Sequence, residues 1–300
     1  MNRVAQHPIQ AFAVALAAVA VLSIMDAVMK HLVLAIGIIA VSVWRATSNM
    51  AIAAALYLPS RSRWPNRSRM RIHVGRSLII TVMAFLFFWG IGRVPLAQAI
   101  ALTFIAPLIA LLLAGVFLRE KIGARSVGGS AVAFAGVLVI VFGQARADVG
   151  SDVLLGLAAI IGSALCYAVN IILMRHQALA AKPLEINFFQ CLTILVIWIV
   201  ALPLVGIPDW PGGQWLWIAI ASLLSTSGTL LFAWAYARGE ASYLAATEYS
   251  GFLWAALCGW LVFRESVSLY TLAGATLIVG GCVIAARARI DAPGEMEVAT

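Results

Sequence analysis

The sequence predicts an all-α integral membrane protein, with ten transmembrane helices arranged as two inverted five-helix repeats. Three observations predict it: a composition too apolar for a soluble surface, a lopsided distribution of basic residues between alternate connections, and a recurrence of residue types at one constant offset. Of 300 residues, 63% are hydrophobic and 11% charged, against about 25% charged in an ordinary soluble domain. A bilayer crossing takes roughly 20 apolar residues plus a connection, so about ten crossings use up the chain.

Apolar blocks bounded by charge, Gly or Pro lie at 11–33, 37–58, 77–92, 96–118, 124–142, 153–174, 184–205, 214–236, 241–263 and 267–286, and each is read as a span. The opening run after Arg3 resembles a signal peptide, but its apolar stretch continues past any cleavage site to Asp26 and Lys30, so it is read as a retained first span. The third span is short. Its end at Gly90-Ile91-Gly92, followed by Val94-Pro95, marks a tight connection to the fourth.

With the amino terminus placed in the cytoplasm, 15 basic residues fall on the cytoplasmic side, including Arg61, Arg63, Arg67, Arg69, Arg71 and Arg76 in one connection. Only Arg93, Arg146 and Arg264 fall opposite. This positive-inside bias puts both termini in the cytoplasm and the chain in the inner membrane as a multi-pass protein among lipids. The net charge of +8 is therefore a topology signal, and no nucleic-acid partner is expected. Cys166, Cys191, Cys258 and Cys282 occur singly in apolar segments and are read as packing residues; no metal or cofactor is expected.

Adding 145 to positions in the first half lands on similar residues in the second: Met29-Lys30 on Met174-Arg175, Trp89 on Trp234, Arg93 on Arg238, Arg119-Glu120 on Arg264-Glu265, Gly129 on Gly274 and Gly136 on Gly281. The expected units are 1–145 and 146–286, with a cytoplasmic tail at 287–300. Five spans per copy is an odd number, so the second copy enters from the opposite face. Antiparallel repeats recur in secondary transporters, where the copies exchange conformations and open a shared site to each side in turn. Gly136, Gly274, Gly280 and Gly281, with Ala131 and Ala135, are small residues suited to close helix contact. They are expected to pack the fifth span on the tenth rather than to form a homodimer face, so monomer and homodimer both stay open.

Ionisable side chains inside spans are costly and mark cavities or pairs. Asp26 and Lys30 are four residues apart on one helix face and can pair; whether that pair is structural or functional is open at this stage. Arg45 can join them or grip a solute through its planar fork. Glu248 has no basic residue within four positions, and is the expected proton-coupling or substrate-cation group; its counterpart at the repeat offset is Thr103. Trp44, Trp89, Gln98, Tyr167, Asn170 and Asn187 are further candidates to line the pocket, as are Gln190, Tyr243 and Trp254. Trp210, Trp215 and Trp217 read as an interfacial belt. No metalloprotease, nucleophile-elbow or phosphate-loop motif is present, so no enzyme is expected. A membrane-embedded enzyme or structural membrane subunit is the alternative to a carrier. His7, His31, His73 and His176 lie at or beyond span ends, where solvated surface is expected.

The chain resembles the drug/metabolite transporter superfamily in its EamA-like branch. The residues that carry the resemblance are Met25-Asp26-Ala27-Val28-Met29-Lys30, Trp44-Arg45, Pro95-Leu96-Ala97-Gln98-Ala99, Phe104-Ile105-Ala106-Pro107-Leu108 and Phe117-Leu118-Arg119-Glu120-Lys121. The second half keeps Phe263-Arg264-Glu265 but has Phe252 where the offset places the proline at 107. The resemblance implies a ten-helix carrier of small organic solutes, such as nucleoside-like, vitamin or adenosylmethionine-type molecules, working by alternating access with proton coupling or exchange.

Overall fold

The structure is a computed structural model and describes residues 8–60, 64–106, 109, 124–145, 151–236, 247–248 and 250–290. Among them are nine α-helices and no strand: α1 Pro8–Tyr57, α2 Arg67–Ile91, α3 Leu96–Thr103, α4 Ala124–Ala145, α5 Ser151–Ala180, α6 Pro183–Val205, α7 Trp215–Tyr236, α8 Gly251–Phe263 and α9 Leu269–Ile290. Helices suit a chain this apolar because they satisfy every backbone polar group internally. Five are long and apolar enough to cross a membrane, and three shorter apolar stretches accompany them.

α1 carries the first two predicted spans as two arms joined at Gly37, whose backbone (φ 77°, ψ 159°) is not helical. That conformation is open essentially only to glycine. The arms fold back on each other. Asp26 and Arg45, 19 residues apart across Gly37, act on one another's charge, whereas a straight helix would separate them by roughly 28 Å.

Local signals set the other ends. Asn66 caps α2 by accepting from the Arg69 amide at 3.0 Å, so the helix begins at Arg67, ten residues before the predicted span. Pro183 opens α6, and Gly206, at φ 84°, follows its last residue. Arg264 closes α8 in the left-handed conformation (φ 55°). This reverses the chain so that Glu265 lies back along α8, where Gly259 leaves room for it: a Cβ there would stand 2.8 Å from the carboxylate.

α2 packs on α5, α1 on α7, α4 on α9 and α3 on α8, and α1 also meets α6. A shift of 145 residues turns the α2–α5 contact into the contact of α7 with the first arm of α1, and carries the α4–α9 contact onto itself. The expected contact of the fifth span with the tenth is present, made by Gly136, Gly274 and Gly281, while three other residues of the predicted set lie off it. A Cβ at Gly136 would meet the Gly274 carbonyl oxygen and Ile278, and one at Gly281 would meet Gly129 and Ala133. Ala131 and Ala135 point away and are exposed, and Gly280 has open space beside it. The main core runs through the middle of the bundle, around Met29, Leu32, Leu102, Ile160 and Ile278, all fully buried.

Candidate functional site

The turn at Gly37 brings Asp26 and Arg45, eleven residues before it and eight after, within range of each other's charge at mid-depth. At 1.5 Å per residue that is roughly 12–16 Å from one end of the bundle, close to half of a hydrocarbon core about 30 Å thick. Arg45 rests its guanidinium over the Phe88 ring of α2, 4.9 Å from the centroid. Its charge also acts on Cys191 of α6, and that of Asp26 acts on Cys258 of α8. Both arms of α1 together with α2, α6 and α8 therefore bring a carboxyl group, a guanidinium, an aromatic face and two thiols within electrostatic range of one another. Such a set can grip a polar organic molecule from two sides: Arg45 donates to carbonyl or carboxylate oxygens, and Asp26 accepts from N–H or O–H groups.

Lys30 takes a different partner from the expected one. Its ammonium pairs with Glu265 and donates to the Val94 carbonyl oxygen at 2.7 Å, and its side chain crosses the Phe263 ring at 5.2 Å. The other Glu265 oxygen accepts the Leu96 amide at 2.8 Å. Leu96 N–H is the first donor of α3, which has no acceptor within its own helix, and Pro95 before it offers no side-chain cap. One carboxylate thus ties α1, the α2–α3 turn and the end of α8 together. Sequence spacing missed it, since the partners stand 235 residues apart.

Several predicted pocket residues lie elsewhere. Trp44 donates to the Asp209 carbonyl oxygen at 3.0 Å and meets Trp210 and Trp215 edge-on at 5.3 and 5.2 Å, so it belongs to a tryptophan cluster at that end of the bundle. Trp89 is covered by Arg93, 3.5 Å above its ring, one helical turn on. Thr103 donates to the Ile100 carbonyl oxygen at 2.7 Å. Gln98 is buried, while Asn187 and Gln190 are half-buried on α6. Trp254 is exposed and lines an apolar groove of 570 Å³ with Leu16, Ala17, Ala20, Ser250, Leu253 and Leu257. Glu248 is half-buried and interacts with a neighbouring group. Tyr243 lies outside the described residues.

Asn170 and Tyr167 belong to a second polar centre near the basic connection. Arg76 donates to Asn170 Oδ1 at 2.8 Å and to Gln177, and Tyr167 lies within electrostatic range of Arg76. His73, expected at a solvated surface, is 1% exposed. The early start of α2 carries it into contact with α5 and α6, which corrects that expectation. No group of three or more metal-ligating side chains occurs among the described residues.

The sequence profile of the EamA-like transporter family matches residues 10–142 and again 154–287. A riboflavin transporter of Vibrio cholerae is 26% identical over 267 residues, covering 86% of each chain. A pseudopaline exporter of Pseudomonas aeruginosa is 28% identical over 212 residues, covering 68% of this chain and 70% of its own. A solved crystal structure superposes with a TM-score of 0.59 at 19% identity, covering 93% of this chain and 97% of its own. That likeness concerns the fold alone.

Proposed function

Because the chain belongs to the EamA-like transporter family, and is thus a multi-pass membrane transporter rather than an enzyme, we propose that it is a secondary carrier of small polar organic solutes across the cytoplasmic membrane, working by alternating access. The observation that carries this reading is that Asp26 and Arg45 stand at mid-depth within range of each other's charge, with the Arg45 guanidinium over the Phe88 ring. Unlike charges inside a membrane are expensive, and they persist where they face a water-filled cavity or a passenger.

Two further features support it. The family profile matches twice in succession, and the contacts of α2 with α5 and of α1 with α7 exchange under the 145-residue shift, which supports two inverted five-helix units with ten crossings at 1–145 and 146–286. Lys30, Glu265 and Leu96 join the two halves at one end of the bundle, which makes that end a closure that must part for solute to pass. With the basic connections inside, it faces outward. The relatives named for riboflavin and pseudopaline put metabolites of that size and polarity among the solutes to try.

Purified protein in proteoliposomes, tested with labelled riboflavin and a panel of amino acids, nucleosides and vitamins, should show saturable uptake and exchange of at least one. Flux proportional to concentration without saturation would refute a carrier, and absence of flux for every solute would return the chain to a structural subunit.

A further inference from the structure

At the end of the bundle opposite the Lys30–Glu265 tie, a chain of polar groups crosses three helices, and its hydrogen bonds run in a single direction. Arg76 on α2 donates to Asn170 and, through Nη1, to Gln177 Oε1 on α5. A guanidinium can only donate. It therefore fixes the Gln177 amide with its oxygen toward Arg76 and its NH2 toward His73, whose Nδ1 it meets. Nδ1 must accept, so the ring proton sits on Nε2, 3.3 Å from Glu185 Oε1 on α6. His73, Gln177 and Glu185 are all buried. Phe189 stacks on the imidazole, with centroids 5.5 Å apart and planes 23° from parallel.

The arrangement accommodates one ring proton and no more. A second, on Nδ1, would face the Gln177 NH2, and turning that amide over would set the same NH2 against Arg76. Cationic His73 thus has no acceptor at Nδ1 while the three helices stay together, and an unmade hydrogen bond in a buried site costs more than a formed one returns. The described titratable groups around it are Arg76 on its own helix, Glu185 on α6, Tyr57 on the second arm of α1, whose environment includes the Glu185 charge, and Tyr167 on α5, which acts on Arg76. Arg69, Arg71 and Lys182 nearby in sequence are exposed. Histidine is the side chain whose charge ordinarily changes within the physiological range.

We propose that His73 is a proton-binding site and that a second ring proton unfastens α2 from α5 and α6 at the basic end of the bundle. The use of that proton to drive solute movement rests on the carrier reading above; the site itself does not. The test is hydrogen–deuterium exchange of the full chain in lipid nanodiscs, following peptides across residues 177–186, with protection corrected for the intrinsic effect of pH. Protection in the wild type should fall about tenfold between about pH 8 and pH 5.5. His73→Gln should abolish the fall. Gln177→Glu, whose carboxylate accepts from Arg76 and from a protonated Nδ1 alike, should keep the segment protected in acid, a result that a merely structural histidine does not give. Equal protection of the wild type at both pH values, or a wild-type fall in either variant, overturns the proposal. If the pH response is present but proteoliposomes carry no solute, the proton site stands and the carrier reading fails.

Discussion

Neutralising Glu265 while keeping its shape should destabilise the protein more than removing the whole ion pair. The Lys30 side chain is 6% exposed and that of Glu265 18%, so Glu265→Gln leaves a buried ammonium with the Val94 carbonyl oxygen as its remaining partner. Stranding one member of a buried pair costs roughly 3–5 kcal/mol. The glutamine can still accept the Leu96 amide; Glu265→Ala gives that up as well, for about 1 kcal/mol more. Lys30→Met costs less, because Glu265 is partly solvated and keeps its bond to Leu96. In the double variant Lys30→Met/Glu265→Gln no charge is stranded, and the coupling energy should be about 2 kcal/mol, well above the few tenths expected of independent sites. At roughly 2–4 °C per kcal/mol for a chain of this order of size, Glu265→Gln should lower the apparent Tm in detergent by about 6–20 °C, with the double variant recovering part of the loss. Tryptophan fluorescence on heating measures this. Strict additivity, or an unchanged Tm for Glu265→Gln, would refute the argument that this pair holds α1, α3 and α8 together.

Three other substitutions probe separate parts of the structure. Arg45→Met removes the guanidinium from Phe88 and leaves Asp26 without its opposing charge, so saturable flux in proteoliposomes should fall at least about tenfold, with Arg45→Lys intermediate because an ammonium lacks the planar fork; wild-type flux in Arg45→Met would remove Asp26 and Arg45 from the solute path. Gly136→Leu and Gly274→Leu should each cost about 1–3 kcal/mol by forcing α4 from α9, whereas Gly280→Ala, with nothing within 4 Å, should stay within about 0.5 kcal/mol; equal Tm shifts would contradict the contact. Gly37→Ala should cost about 1–3 kcal/mol, since its backbone lies where a Cβ is strained, and an unaltered Tm would show that the turn relaxes freely.

Where an expectation rested on local chemistry, it carried over. Gly37 separates two arms where the first two spans met, and Trp210 and Trp215 meet edge-on at one end of the bundle. The failures share one cause, which is helix rotation and neighbours. Asp26 and Lys30 satisfy the four-residue rule for pairing, but Asp26 meets Arg45 across the turn and Lys30 meets Glu265 from the far end of the chain. His73 sits in a strongly basic stretch that reads as solvent-exposed. Only the cap at Asn66 and the arrival of α5 and α6 bury it.

By itself the sequence determined that this chain is helical and membrane-embedded, because these properties follow from the transfer of side chains and backbone into lipid, counted segment by segment. Which charges meet was decided only by the tertiary structure. A buried ion finds its partner by the rotation and crossing of helices far apart in sequence, and a 3.6-residue period fixes which side chains share a face without fixing what that face will touch.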